Sequence, residues 1–237
     1  MSGTGPARDP ERIAAMFDRI VPHYDLMNRL MTVGLDRRWR AAAAAAAAPA
    51  PGTPVLDACC GTGDLSLAVA RRYPQTAVTG LDFSEAMLAS ARAKAARDGA
   101  RVEFVRGDLL ALPFGDDTFG AVTVGWGVRN VADLARAFSE MVRVTAPGGR
   151  IVCLEATAPA GEAGRRFHAV WFERVVPAMG ALVTGDAEAY AYLPASVRSF
   201  PDADGLAAVM SVAGLQGVSY RLFGFGAMAL HVGQVPS

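Results

Sequence analysis

Residues 54 to 64 read Pro54-Val55-Leu56-Asp57-Ala58-Cys59-Cys60-Gly61-Thr62-Gly63-Asp64. A short apolar run ends in an acid, turns over two glycines and passes into an apolar segment of helical character, 65–70. This order predicts a buried strand, a glycine-rich turn and the start of a helix. Because glycine has no Cβ and tolerates positive φ, such a turn lets a ligand approach the backbone closely. In an open parallel sheet, that ligand lies at the carboxyl ends of the strands.

The glycine turn favours a cationic nucleoside over a pyrophosphate. A dinucleotide-binding turn, G-x-G-x-x-G, has a third glycine where this chain has Leu65-Ser66. Asp64 would repel a pyrophosphate, but it would suit a ligand that carries a sulfonium and an amino group. Thr62 and Asp64 are also candidates to cap the helix. The rival hypothesis, a nicotinamide-dependent oxidoreductase, requires the third glycine and a Tyr/Lys pair for hydride transfer, and neither is found in the sequence.

The second and third predicted strands end in acids as well. Asp82 closes the second strand, where a carboxylate can accept hydrogen bonds from both hydroxyls of a ribose. Phe83 follows it, and Ser84 is a candidate N-cap for the next helix. After the third strand, Asp108 is a candidate to bind the exocyclic amine of adenine, and Leu109 to cover the face of the base. A capping role explains any one of these acids, but three at successive strand ends indicate a nucleoside site.

The rest of the chain continues the alternation of strands and helices. The predicted elements are strands at 119–125 and 150–156, helices at 133–144 and 202–213, and strands near 218–222 and 228–232. Gly214 is the expected C-cap of the last helix. The short interval between the last two strands predicts a hairpin. The fold class is therefore α/β, a doubly wound, mostly parallel seven-stranded sheet with an antiparallel edge strand.

Two segments lie outside this alternation. From Pro10 to Leu35 apolar residues recur at helical spacing, and Pro22 is expected to break them into a pair of helices. Trp39, three neighbouring arginines and eight alanines then predict a helix whose polar end either contacts lipid head groups or faces solvent. Residues 157–200 carry bulky apolar side chains, which either pack in the core or form the wall of a site for an apolar substrate.

Several of these segments resemble the ubiquinone/menaquinone biosynthesis C-methyltransferase family, over about residues 10 to 233. The matching segments are Tyr24–Arg29, Val55–Asp64, Gly80–Ser84, Leu112–Phe114, Gly127–Val131 and Tyr192–Pro201. The resemblance implies a Rossmann-like class I S-adenosylmethionine-dependent methyltransferase fold. It also implies two parts of one globular unit: residues 1–50 as an N-terminal helical lid, and residues 51–237 as the methyltransferase domain, with a helical insertion at about 157–200.

By this resemblance the cofactor is S-adenosyl-L-methionine and the substrate a polyprenylated quinol. The implied cofactor-binding residues are Asp57, Gly61, Thr62, Gly63, Asp82, Phe83, Asp108, Leu109 and Gly125. The favoured reaction is ring methylation of demethylmenaquinol. The alternatives are the benzoquinol precursor of ubiquinone, another small aromatic natural product, or a non-catalytic quinone-binding module.

The acceptor chemistry points to further candidates. A quinol ring carbon becomes nucleophilic when the adjacent hydroxyl loses its proton, so a base or a charge-stabilising group should lie near the ring. The position of the motifs favours Asp25 as the base and Arg129 as the partner of the developing phenolate. Tyr24 and Asn28 belong to the same lid motif and are expected to face the site. His23 and His231 are alternatives, the latter with a structural role as its simpler explanation.

Composition excludes several classes of function. The 23 basic and 23 acidic residues cancel, so nothing indicates a nucleic-acid surface. Cys59, Cys60 and Cys153 have no metal-ligand spacing, and no metal is predicted. The sequence has no signal pattern and no long uncharged apolar run. We therefore expect a cytoplasmic protein that touches the inner face of a membrane at most peripherally; a homodimer is a further hypothesis.

Overall fold

The computed structural model describes residues 10–159, 161–184 and 187–237. Its strands are β1 (Val55–Ala58), β2 (Val78–Asp82), β3 (Val102–Arg106), β4 (Phe119–Gly125), β5 (Thr145–Ala156), β6 (Gln216–Phe223) and β7 (Met228–Gln234). Within the described residues they form one sheet in the order β3-β2-β1-β4-β5-β7-β6. The pairings among β1 to β5 are parallel, whereas β7 runs antiparallel to both β5 and β6. The predicted fold class is confirmed, and the predicted hairpin forms the antiparallel edge.

Helices cover both faces of this sheet. They are α1 (Pro10–Met31), α2 (Asp36–Ala47), α3 (Asp64–Arg72), α4 (Glu85–Asp98), α5 (Leu134–Val144), α6 (Glu162–Val170), α7 (Val176–Thr184), α8 (Ala187–Arg198) and α9 (Ala203–Val212). Alternation along β1 separates the two layers: Val55 packs in the cluster that includes α2 and α3, and Leu56 in the cluster that includes α5 and α9. None of the helices in the described part of the chain is long and apolar enough to span a bilayer.

The alanine-rich helix α2 is a core element. Ala43, Ala44 and Ala47 are buried, and their small side chains let the helix lie close to α3 and the sheet. Trp39 and Arg40 are buried too, so the expectation that they face lipid or solvent is wrong. Trp39 packs near the Phe223 ring at a centroid distance of 6.3 Å, and Arg40 lies 4.8 Å from the centroid of a Trp126 ring.

Pro22 does not divide α1, contrary to the sequence-based expectation. Proline removes one backbone hydrogen bond and normally kinks or ends a helix. Here Pro22 is exposed, while Ile20 and Met27 on either side of it are buried. Burial of the inner face therefore outweighs the lost hydrogen bond. The resulting helix of 22 residues packs against α4, α7 and α8 beyond the sheet.

The helix ends agree with the sequence-based expectations at some positions only. Ser84 caps α4 by accepting a hydrogen bond from the backbone N–H of Met87 at 3.1 Å. The N-cap of α3 is Gly63, so neither Thr62 nor Asp64 has the predicted capping role. The C-cap of α9 is Ala213, and Gly214 is the next residue, with φ 103°. Helices α6, α7 and α8 follow β5, where the helical insertion was expected.

Candidate active site

The glycine turn joins β1 to α3 and leaves space beside the backbone. Gly61 has φ 54°, and a Cβ there would meet no atom within 4 Å, because it would point into open space. Gly63 has φ 82°, and a Cβ there would lie 2.9 Å from that of Ala91. Gly61 therefore allows a ligand to approach, whereas Gly63 lets α3 and α4 pack tightly.

A cleft of about 950 Å³, including its open mouth, lies at the carboxyl ends of β1 to β4. We call it the glycine cleft. Its lining includes six of the predicted cofactor-binding residues, Gly61, Asp82, Phe83, Asp108, Leu109 and Gly125. Ile13, Phe17 and Tyr24 of α1 also line it, so this helix covers the end of the sheet.

The two acids of this cleft differ in their surroundings. The Asp82 carboxylate is buried and accepts hydrogen bonds from the backbone N–H groups of Gly61 at 2.8 Å and Ser84 at 3.0 Å. Burial raises the pKa of Asp82, against the opposing effect of these backbone donors. Asp108 is exposed and accepts one hydrogen bond from the N–H of Leu110 at 2.9 Å. Asp82 is therefore rigidly held, and Asp108 lies at the solvent side of the cleft.

Asp57 and Thr62 line a smaller recess that shares Gly61 and Gly125 with the glycine cleft. The Asp57 carboxylate is fully buried and accepts hydrogen bonds from the hydroxyls of Ser66 at 2.6 Å and Thr123 at 2.9 Å. Burial raises the pKa of Asp57 to about 6, although the two hydroxyl donors lower it. Burial therefore disfavours the ionised form of Asp57, and a cation bound in this recess would stabilise that form.

Asp25 faces the outside of the glycine turn. Its carboxylate accepts a hydrogen bond from the Thr62 hydroxyl at 2.6 Å and pairs with the Lys94 ammonium at 2.6 Å. Lys94 also binds Asp64 at 2.6 Å. Burial would raise the pKa of Asp64, but Arg40 and Lys94 lower it below its ordinary value. These contacts tie α1 to α3 and α4.

A second cleft, of about 780 Å³ including its open part, lies between α1, the ends of β4 and β5, and α8. We call it the methionine cleft, because Met16, Met27, Met31 and Met228 line it. Three predicted catalytic residues, Tyr24, Asn28 and Arg129, line it as well. Asp25, His23 and His231 are absent from the linings of both clefts in the described residues. His231 is buried on β7, with its Nε2 2.8 Å from the carbonyl oxygen of Ala203.

Arg129 brings a positive charge to the methionine cleft, which the buried Asp36 also lines. Its Nη1 donates to Glu155 Oε1 at 2.7 Å and to the carbonyl oxygen of Trp126 at 2.6 Å. Burial disfavours the guanidinium charge, but the adjacent Glu155 raises the pKa of Arg129 above its ordinary value. The buried Nε of Arg129 has no hydrogen-bond partner in the described part of the chain. This N–H group is therefore free to donate to an acceptor oxygen of a ligand or of a water molecule.

Trp126 and Tyr24 separate the two clefts. Both residues line the glycine cleft and the methionine cleft. Trp126 has φ 57°, a strained conformation for a bulky residue, and its backbone N–H donates to the carbonyl oxygen of Leu154 at 2.8 Å. Burial raises the pKa of Tyr24, against the opposing effect of Arg129, so the phenol keeps its proton near neutral pH. A group held in one cleft therefore faces the other across these two rings.

The family model described as the ubiE/COQ5 methyltransferase family matches residues 7–235. This chain belongs to the ubiE/COQ5 methyltransferase family. The resemblance drawn from the sequence motifs is thereby confirmed.

Curated relatives of this family member cover nearly its whole length. A demethylmenaquinone methyltransferase of Thermus thermophilus is 47% identical over 221 residues, which are 93% of this chain and 100% of the relative. One of Roseiflexus castenholzii is 46% identical, covering 96% of this chain and 95% of the relative. A protein of Geobacter sulfurreducens named ubiquinone/menaquinone biosynthesis C-methyltransferase UbiE is 41% identical, covering 94% and 88%.

Solved structures of lower identity share the fold. A SAM-dependent methyltransferase of Thermotoga maritima superposes with a TM-score of 0.61 at 18% identity, covering 93% of this chain and 98% of that one. The [4+2]-cyclase SpnF gives a TM-score of 0.62 at 19% identity, covering 94% and 95%. Because a cyclase and a methyltransferase share this architecture, the fold alone does not determine the reaction.

Several residues of the two clefts in this ubiE/COQ5 family member were absent from the predicted site. Phe17 and Trp126 line both clefts, and Tyr192 lines the methionine cleft, where its hydroxyl donates to Asn130 Oδ1 at 3.2 Å. Trp126 and Asn130 lie close to Arg129 in the sequence. That closeness to a predicted site residue was the one sequence feature that could have indicated their place in the site. Phe17 looked like one member of an apolar helix face, and nothing in the sequence distinguished it from core residues.

Proposed function

We propose that this chain transfers a methyl group from S-adenosylmethionine to a ring carbon of a polyprenylated quinol, converting demethylmenaquinol to menaquinol. The observation that carries the proposal is the pair of adjoining clefts. One has glycine and carboxylate groups suited to a nucleoside, and the other is mostly apolar, with a buried guanidinium at Arg129 and a buried carboxylate at Asp36. The names of the relatives from Thermus and Roseiflexus support the naphthoquinol as substrate.

The glycine cleft fits the proposed methyl donor. When bound, S-adenosylmethionine supplies an electrophilic methyl group on a sulfonium. Asp82 offers a rigid carboxylate for the ribose hydroxyls, and Asp108 and Leu109 offer an acceptor and an apolar surface for adenine. Phe83 and Gly125 complete the wall. Asp57 contributes a negative charge in the adjoining recess, where it would complement a cation.

The methionine cleft fits an aromatic acceptor with an apolar tail. Methionine side chains adapt to irregular apolar shapes and make favourable contacts with aromatic rings. Arg129 would stabilise the negative charge that develops on the quinol oxygen, with its unpartnered Nε as the donor. Tyr24, which stays protonated, and Asn28 would orient the ring. The wall formed by Tyr24 and Trp126 would align the ring carbon with the methyl group and exclude water.

Asp25 is better suited to positioning than to proton transfer. Its carboxylate is held by Thr62 and Lys94 and lies outside the lining of the cleft that contains Arg129. We propose that Asp25 acts through α1, because Tyr24 and Asn28 of the same helix line the methionine cleft. Thr62 has the same role from the glycine turn, since its hydroxyl is committed to Asp25.

The proposal is tested by incubating the protein with labelled S-adenosylmethionine and reduced acceptors. The panel contains demethylated naphthoquinols and benzoquinols, each with and without a prenyl tail. We expect label on the naphthoquinol ring, and no calorimetric signal with NAD in place of S-adenosylmethionine. Labelling of benzoquinols alone would reassign the substrate. Binding of a quinol without labelling of any acceptor would support a quinone-binding module and overturn the proposal.

A further inference from the structure

Two tight turns each present a large apolar side chain to the outside. Val33, in the turn between α1 and α2, has φ 51° and is 75% exposed. Phe225, in the turn between β6 and β7, has φ 57° and is 80% exposed. Left-handed backbone favours glycine or asparagine, and a β-branched or bulky residue there is strained. At these two exposed positions, burial of the side chain does not offset the backbone strain. This combination indicates a function for the two side chains.

These two turns lie on the same side of the molecule. Leu35 is the N-cap of α2, and Trp39, one helical turn later, packs near Phe223 at the end of β6. Gly224, at the start of the β6–β7 turn, lies beside the same ring, since a Cβ there would be 3.4 Å from Trp39. The β6–β7 turn therefore lies against the first turn of α2, which directly follows the α1–α2 turn. Leu26 and Leu30, both exposed, lie one helical turn apart on α1, and Val33 follows in the turn after the helix. We call the set Leu26, Leu30, Val33, Leu35 and Phe225 the apolar face.

Exposed positive charge accompanies the apolar face. Between residues 26 and 40 the exposed charged side chains are Arg29, Arg37 and Arg38. The acid of that segment, Asp36, is buried and paired with Arg40. The excess of exposed arginine holds for residues 26–40, while Arg29 and Arg37 also line a recess beside Asp25 and Asp64. Apolar side chains flanked by exposed arginines suit the interface of a bilayer that contains anionic lipids.

The methionine cleft extends to the same side. Met31 and Thr32, which line it, directly precede Val33, and Met228, which also lines it, is three residues after Phe225. Trp171 donates from Nε1 to the carbonyl oxygen of Met31 at 2.9 Å and so packs the region after β5 against the end of α1. A long apolar tail leaving this cleft would emerge between the two strained turns.

We propose that the apolar face docks on an anionic lipid bilayer, with Val33 and Phe225 inserted among the lipids and the three arginines at the head groups. This inference rests on the proposed function, since a polyprenylated quinol is insoluble in water and has to enter the cleft from a membrane. Docking in this orientation places the end of the methionine cleft at the bilayer surface, so the quinol ring enters while its tail stays in the lipid.

The test is co-sedimentation with vesicles of phosphatidylcholine alone or with about 30% phosphatidylglycerol. The variant is Val33→Asn with Phe225→Asn, since asparagine tolerates left-handed backbone while removing the apolar groups. We expect it to unfold at no lower a temperature than the parent, and its partitioning onto the anionic vesicles to fall by at least about tenfold. A separate variant, Arg29→Gln with Arg38→Gln, should reduce binding only to the anionic vesicles, by about fivefold per arginine.

A matched control is Val212→Asn, because Val212 is 87% exposed on α9, across the sheet from α2. It should bind vesicles like the parent. Unchanged binding by the Val33/Phe225 variant, or absence of binding by the parent, would overturn the docking face. Loss of self-association in that variant without vesicle binding by the parent would instead identify a protein interface. Methylation of a tail-free quinol, measured without vesicles, tests the proposed function independently of membrane docking. All three variants should methylate this quinol at the rate of the parent.

Discussion

At the scale of single residues, Asp57 shows how burial raises the free energy of a charged carboxylate. The carboxylate has two hydroxyl donors but no contact with water, so its charge is costly and burial raises its pKa from 3.8 to about 6. Between these two values the folded protein binds more protons than the unfolded chain. The contribution of Asp57 to stability is therefore fully present below about pH 4 and is lost as the pH rises through about 6.

The Asp57→Asn variant, studied without ligand, tests this reasoning. We expect the unfolding free energy of the parent to fall relative to that of the variant by about 2 kcal/mol between about pH 4 and pH 6, because asparagine does not titrate. Urea unfolding of both proteins at several pH values measures the difference. Parallel stability profiles would show that the pKa of Asp57 is not raised in the folded protein.

Arg129 and Glu155 form a buried ion pair at one wall of the methionine cleft. Arg129→Met should destabilise the fold by about 3–5 kcal/mol, because it leaves Glu155 charged and unpaired. The double variant Arg129→Met, Glu155→Gln should recover most of that stability, since neither charge remains. If Arg129 stabilises the quinol oxygen, methyl transfer stays low in the double variant. Recovery of both stability and turnover would mean that the arginine has only a structural role.

The residues of the glycine cleft were foreseeable from the sequence, whereas the roles of several acids were not. A strand end, a glycine pair and an acid are local patterns, and the structure brings Gly61, Asp82 and Asp108 of these patterns together in one cleft. Asp25 belongs to a motif as well, but its direction depends on Lys94, which is distant in sequence and lies on α4. Long-range pairing of that kind has no sequence signal.

At the scale of secondary-structure elements, α1 is the part that the sequence described least well. Pro22 predicted a break, yet the helix continues because both of its halves bury apolar residues against the rest of the molecule. Two of its acids make polar contacts with the rest of the molecule. Asp25 binds Thr62 and Lys94, and Asp18 accepts a hydrogen bond from the Ser84 hydroxyl at 2.5 Å. These contacts attach α1 to the glycine turn and to the start of α4.

Removing the Lys94 ammonium should loosen α1 without unfolding the sheet. In Lys94→Met we expect amide hydrogen exchange in α1 to accelerate by about threefold to tenfold, corresponding to a loss of about 1 kcal/mol from a partly exposed ion-pair network. Exchange in β1 and β4 should be unchanged. Arg97→Met, a neighbour on α4 with an exposed side chain, is the control and should leave α1 unaffected. Equal exchange in α1 of both variants would contradict a fastening role for Lys94.

At the scale of the whole molecule, the two clefts share a wall that belongs partly to α1. Phe17 and Tyr24 of that helix line both of them, as does Trp126 at the end of β4. We therefore expect a ligand in the glycine cleft to order side chains that also line the methionine cleft. The second ligand then pays less conformational entropy than it would alone, which makes the two binding events cooperative.

This coupling is measurable with S-adenosylhomocysteine, which lacks the methyl group and so permits binding without turnover. We expect a tail-free quinol to bind at least about tenfold more tightly when S-adenosylhomocysteine is present, and S-adenosylhomocysteine to gain the same factor from the quinol, because coupling free energies are reciprocal. Titration calorimetry in both orders measures the two factors. In Lys94→Met the two affinity factors should change equally, because the wall contributed by α1 is less firmly held. In Arg97→Met both factors should equal those of the parent protein. Identical quinol affinity with and without S-adenosylhomocysteine would show that the clefts are filled independently and that α1 does not connect them.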